Sequence, residues 1–319
     1  MEPSNVSYTL PVSRSFSAVG RVLFKPFDIG KWFVLGFSAW LAALLSGGSS
    51  FSGNYSGGGS NDNGELEDVM QVAGQWIQEN MTLIITLAVV GLLIGFAIYV
   101  ALLWVSSRGK FMFLDNLVHN RALVKAPWAE FKTLGNSLFW WRLVYGVIVT
   151  MVVLAYVCAM ALIIYSMVEG GGPKETTVVV LIGAILLLLP LLLIVSYITS
   201  MLEHFVIPIM YRDRIRVRAA WGRFLSLHRA NFWKFVLYFL WSGLLSFAAG
   251  MALMSIGIMT CCIGMFIMVI PYIGAVVILP VTSFFRFLGP EFLRQFGEEY
   301  DIFPKPPESQ VASETPAEA

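Results

Sequence analysis

"FVLYFLWSGLLSFAAGMALMSIGIMTCCIGMFIMVIPYIGAVVILPVTSFFRFLG", residues 235–289, runs for 55 residues with one charged side chain, Arg286. A helix needs roughly 20 apolar residues to cross a bilayer. The run is therefore too long for one crossing and fits two, joined by a tight turn around Gly257–Cys262. The rest of the chain has the same character. Hydrophobic residues make up 57% of it, charged residues 13%, and mean hydropathy is +0.75. A soluble domain carries about 45–50% apolar and about 25% charged residues. These 319 residues lack the polar side chains that soluble surfaces require.

Working outward, six stretches are long and apolar enough to span, near 32–51, 81–105, 140–167, 177–202, 235–256 and 262–285. The first has the shortest apolar core, "WFVLGFSAWLAALL" at 32–45, before the Gly/Ser-rich "SGGSSFSGNYSGGGSNDNG". The 31 residues ahead of it, and a poor cleavage site at "SGGSS", favour a retained helix over a signal peptide. The expected fold is all-α, an integral membrane bundle of six transmembrane helices. Residues 1–31 form a cytoplasmic amphipathic arm, 32–290 the membrane domain with an outer loop at 46–64, and 291–319 a cytoplasmic tail disordered from about 304.

Charge sets the orientation, because Lys and Arg gather in cytoplasmic loops. Of the 21 basic residues, 20 precede span one, follow span six, or lie between spans two and three or four and five; only Lys174 falls on the other side. The first outer loop carries Asp62, Glu65, Glu67, Asp68 and Glu79 without a base. Six spans with both termini in the cytoplasm of a bacterial inner membrane account for this split.

The most basic segment is "YRDRIRVRAAWGRFLSLHRANFWKF", residues 211–235. At about 100° per residue, Val217, Ala220, Trp221, Phe224, Leu227 and His228 share one arc. Arg212, Arg216 and Arg223 flank one side of that arc; Arg214, Arg218 and Arg229 flank the other. Arginines bordering an apolar face can lay their stems on it and reach lipid phosphates. Arg212, Arg214, Arg216, Arg218, Arg223 and Arg229, with Trp221 and Trp233, are thus candidate contacts to an anionic inner leaflet. Docking of a protein partner is the other reading. A nucleic-acid surface is disfavoured because membrane spans tie down both ends.

"GKWFVLGF" at 30–37, "LFWWRLVYG" at 138–146 and "NFWKFVLYF" at 231–239 each open a span after a basic amphipathic stretch. Three loose repeats of an interfacial helix plus two spans are expected, although tryptophan also favours membrane interfaces in general. "KPFDIGKWFVLGFSAWLA", "SRGKFMFLDNLVHNRALVKAPWAEFKTLGNSLFWWR" and "RVRAAWGRFLSLHRANFWKF" resemble a group of bacterial polytopic membrane proteins. That group is similar to the membrane domain attached to some glycerophosphodiester phosphodiesterases. The resemblance implies a helical bundle of the inner membrane. It implies no phosphodiesterase activity, since nothing here resembles the catalytic barrel.

The chain shows no pattern for catalysis, metal or cofactor. His119, His204 and His228 stand apart, without zinc-ligand spacing, and Cys158, Cys261 and Cys262 form no C-x-x-C. One polar constellation stands out. Glu203 and His204 end span four, Arg108 follows span two, and Arg286 lies at the end of span six, all at one depth. Ionisable groups there are costly unless paired or hydrated, so Glu203 is expected to pair with Arg108 or Arg286. The residues favour a non-catalytic membrane protein that binds lipid or a partner in an envelope process. A small-molecule transporter, with its site among spans two, four and six, is the alternative; Pro190, Pro271 and Pro280 would supply breaks in its helices.

Overall fold

The computed structural model describes residues 6–45, 76, 79–169, 174–260, 270 and 272–304, and among these there is no strand. The Gly/Ser-rich loop, the acidic stretch at 65–75, the Cys261–Cys262 turn, Pro271 and the tail beyond 304 lie outside the described residues. Helix α1 covers Thr9–Val19 and runs into a π-helical turn, Gly20–Phe24; α2 covers Ile29–Ala43. Next come α3 (Met81–Val118), α4 (Lys125–Glu130) and α5 (Lys132–Glu169). Helix α6 (Lys174–Met201) continues through a π-helical turn, Leu202–Val206, into α7 (Ile207–Asp213). The remaining helices are α8 (Val217–Ala230), α9 (Phe232–Met259), α10 (Ile273–Val277) and α11 (Leu279–Leu293).

Four helical segments are long and apolar enough to cross a membrane: Met81–Val118, Lys132–Met167, Val178–Asp213 and Phe232–Met259. They mark the chain as a helical membrane protein. Each is longer than a crossing requires. At 1.5 Å per residue the 38-residue α3 is about 57 Å long, against a hydrocarbon core of about 30 Å. The surplus is packed in protein. In α3 every buried residue lies between Leu103 and Val118, while Leu83, Leu92 and Phe96 of its first half are exposed. Exposed apolar surface likewise covers α5 beyond Gly146, α6 up to Ile194, and α9 from Gly243 to Met259, apart from a few half-covered positions and buried Gly257. So continuous an apolar surface is untenable in water and belongs in lipid. The four helices therefore share a two-part plan: a membrane half with little protein around it, and a half embedded in a compact base.

The base has an aromatic centre. Phe205 stacks on Phe224 at 5.5 Å between ring centres and meets Phe235 edge-on at 5.0 Å; Tyr238 and Phe292 lie 4.4 Å apart. Helix α2 packs along the buried half of α3, and Gly109 permits it: a Cβ there would stand 2.9 Å from the Ala42 backbone nitrogen. Asp28 starts α2 by accepting hydrogen bonds from the amides of Gly30 (2.8 Å) and Lys31 (3.2 Å). Helix α1 packs along α11, with Ser15, Ala18 and Val19 buried.

Three expectations change here. The stretch after residue 105 is no loop, because α3 runs on unbroken to Val118 through the apolar "FMFL" and "LV". The 15-residue α2 is about 22 Å long, short of a full crossing. It lies beside the packed half of α3, with Ser106 donating to the Ala42 carbonyl at 3.2 Å and Lys31 to Asn120 at 2.5 Å. Finally, Pro190 does not break α6, which is helical on both sides of it.

Candidate functional site

Buried charges meet where α3, the turn after α6 and α11 come together. Glu203 sits in the π-helical turn after α6, a distortion that recurs at functional sites. Its Oε1 accepts from Lys110 Nζ of α3, and its Oε2 accepts from Arg286 of α11 at 3.2 Å. Arg286 also donates to the Lys110 carbonyl at 2.9 Å, so one guanidinium clasps both partners. The Lys110 side chain is 2% exposed, that of Arg286 11% and that of Glu203 22%. Glycine makes this junction possible: a Cβ on Gly289 of α11 would lie 2.1 Å from the His204 carbonyl oxygen. Arg142 of α5 stands within electrostatic reach of Glu203 and Lys110.

Of the four residues expected in the ionic cluster, the structure brings Glu203 and Arg286 into contact. His204 turns to Tyr238, with 2.6 Å between its Nδ1 and the phenol oxygen. Arg108 points elsewhere: it donates to Asn136 Oδ1 at 3.0 Å and lies over the Trp104 ring at 4.2 Å. The reason is helical geometry, since residues 108 and 110 lie about 200° apart around α3. Lys110, two positions on, takes the place expected of Arg108. The sequence did carry a signal for this: "FMFL" directly after Lys110 keeps the helix apolar and so keeps that lysine inside.

A second buried carboxylate, Asp115, escaped the sequence reading. It is 1% exposed and accepts from Arg121 at 2.7 Å and from the Tyr211 hydroxyl at 2.9 Å, with His119 Nδ1 3.2 Å away. This network pins the end of α3 to α7. Its hydrogen bond to Asp115 is also the main cause that raises the Arg121 pKa.

The arc predicted for residues 211–235 is the buried arc of α8, and protein covers it. Val217, Ala220 and Phe224 are buried, the last against Phe205 and Phe235. Three of the flanking arginines are engaged within the chain. Arg212 donates to the carbonyls of Asp301 and Glu298 at 2.9 Å each, Arg214 pairs with Glu130 at 2.6 Å, and Arg223 pairs with Asp213. Arg216, Arg218 and Arg229 are exposed and have no carboxylate partner among the described residues. Trp221 is half-buried, stacked 5.5 Å from Trp141, whereas Trp233 is 77% exposed. No group of three or more His, Cys, Asp or Glu with metal-binding geometry occurs among the described residues.

The model of one protein family matches residues 10–298, nearly the whole base and every membrane half. The chain belongs to that family, DUF7544, a family of unknown function. No curated protein and no solved structure matches it. The family carries no activity over to the chain, so a functional reading rests on the geometry.

Proposed function

We propose that the chain is a non-catalytic multi-pass protein of the bacterial inner membrane that holds a basic helical base against the anionic leaflet and binds lipid there. The observation carrying this is the two-part plan of the four long helices. Their membrane halves expose long apolar surfaces suited to lipid, and nearly all basic residues lie in or around the base. Arg216, Arg218 and Arg229 on α8 have no carboxylate partner among the described residues, and each basic group near such a surface adds on the order of 1 kcal/mol of attraction to anionic lipid. In this reading both termini and the base are cytoplasmic. Helices α2 and α11 then belong to the base, where the first span and the end of the sixth were expected. The order of amphipathic helix before apolar helix, at α1–α2, α4–α5 and α8–α9, supports a repeated unit. The resemblance to a phosphodiesterase membrane domain fits a membrane-embedded accessory role.

Purified protein, stripped of lipid, tests the reading. Short-chain phosphatidylglycerol should raise its melting temperature more than phosphatidylcholine of equal chain length, and salt should weaken the difference. Equal stabilisation by the two lipids would contradict it. Substrate uptake by vesicles carrying the pure protein would favour transport instead. An open apolar groove between α5 and α6, lined by Tyr156, Met160, Leu181 and Leu188 among others, offers such a path no charged group.

A further inference from the structure

The ionic cluster has more cation than anion. Lys110, Arg142 and Arg286 surround Glu203, and no second carboxylate reaches them among the described residues. Glu203 spends both oxygens on Lys110 and Arg286. Arg142 is left with neutral partners: the hydroxyls of Ser106 (3.1 Å) and Ser107 (3.3 Å) and the Leu45 carbonyl (3.4 Å). Nearby, the Nε of Arg286 is buried without a hydrogen-bond acceptor. An arginine cannot shed its charge by deprotonating, and a cation removed from water without a counter-charge is unfavourable. Among the described residues, the two arginines, Arg142 and Arg286, share the one carboxylate of Glu203 and are short of one anion.

Depth indicates which anion. Arg142 is half-buried and sits where α5 passes from the base to its membrane half. Trp104 on the neighbouring α3 and Trp140 and Trp141 on α5 lie at the same level, and Trp140 is 63% exposed. Tryptophan collects at the headgroup layer. The guanidinium is thus held where lipid phosphates lie, and its planar fork suits two phosphate oxygens.

We propose that Arg142 anchors a binding site for the phosphate of an anionic lipid headgroup, with Lys110 and Arg286 supplying the surrounding positive field. The two serines fix the fork from behind, and the long contact to the Leu45 carbonyl is the one a phosphate oxygen replaces. This rests on the lipid-binding reading above and narrows it to one pocket. It differs from the exposed arginines of α8, which can act only as a diffuse surface.

The test titrates the full-length protein in detergent with short-chain phosphatidylglycerol, phosphatidylcholine of the same chain length, and inorganic phosphate, following the melting temperature. Wild type should respond saturably to phosphatidylglycerol alone. Arg142→Gln should raise the half-saturating concentration by about tenfold or more, as expected when one bidentate charge-assisted contact is lost. Arg142→Lys keeps the charge but not the fork, and should fall between the two; it decides the matter if the glutamine variant does not fold. Arg218→Gln with Arg229→Gln should shift the half-saturation point less than Arg142→Gln does, because a diffuse surface provides no fixed seat for a headgroup. If instead the α8 double variant loses the response and both Arg142 variants keep it, the pocket is wrong while the lipid-binding reading stands. A response to inorganic phosphate equal to that for phosphatidylglycerol would overturn the lipid assignment. Equal responses to the two lipids in every variant would overturn both readings.

Discussion

Lys110 on α3 and Glu203 in the turn after α6 form an ion pair between residues 93 positions apart, with the lysine 2% exposed. Arg286 ties both of them to α11, donating to the Glu203 carboxylate and to the Lys110 carbonyl.

Breaking this junction on one side should be costly. Glu203→Gln leaves Lys110 and Arg286 buried without their carboxylate, and should lose about 3–5 kcal/mol of stability in detergent. A double-mutant cycle of Glu203→Gln with Arg286→Gln should show a coupling above about 0.5 kcal/mol. The same cycle with Arg108→Gln should be additive, because Arg108 is bound to Asn136 and Trp104. Coupling to Arg108 and none to Arg286 would refute the arrangement.

Gly289 should tolerate no side chain. A Cβ placed 2.1 Å from the His204 carbonyl must push α11 away from the turn that carries Glu203. Gly289→Ala should therefore cost about 1–3 kcal/mol or more by overpacking. A wild-type melting temperature for Gly289→Ala would mean that α11 does not lie against this turn.

The face of α8 separates a protein neighbour from a lipid one. Phe224, packed on Phe205 and Phe235, should cost about 3–5 kcal/mol on truncation to alanine. Its exposed neighbour Leu225 should change stability by no more than about 0.5 kcal/mol. Equal, small effects at both positions would place the α8 face against lipid.

Glu291 gives a pH signature. Burial raises its pKa above the ordinary 4.5, with Arg294 and Arg14 opposing the shift from 3.9 and 3.8 Å. Just above pH 4.5 the folded protein keeps a proton that the unfolded chain has lost. The contribution to stability is therefore full below that pH and fades as pH rises through the raised value. Melting curves of Glu291→Gln should gain on wild type as pH increases over this window. A difference independent of pH would contradict the assignment.

Much of this architecture could be read from patterning, because the signals were long. Runs such as 81–105 and 177–202 commit to helices whatever they pack against, and the arc of Val217, Ala220 and Phe224 is set by helical periodicity alone. What covers an apolar face is not encoded in its periodicity. For that reason the α8 arc could be assigned to lipid when Phe205 and Phe235, distant in sequence, occupy it. The ionic site was half legible for a similar reason. Glu203 and Arg286 stood out as charges inside apolar runs, whereas Lys110, Asp115 and Arg142 lay in what resembled a basic loop. Only the unbroken continuation of α3 past Ser107 draws Lys110 and Asp115 into the base, and Arg142 joins them from the first turns of α5.

The division of the four long helices between lipid and base is the claim on which the rest depends. Single spin labels at Leu92, Leu154, Leu186 and Leu244, compared with Lys125, Arg218 and Arg229, test it in protein reconstituted into anionic bilayers. The first four should collide readily with oxygen and hardly at all with a water-soluble nickel complex, and the other three should show the reverse. Nickel access at the first four sites, equal to that on the base, would contradict the two-part plan.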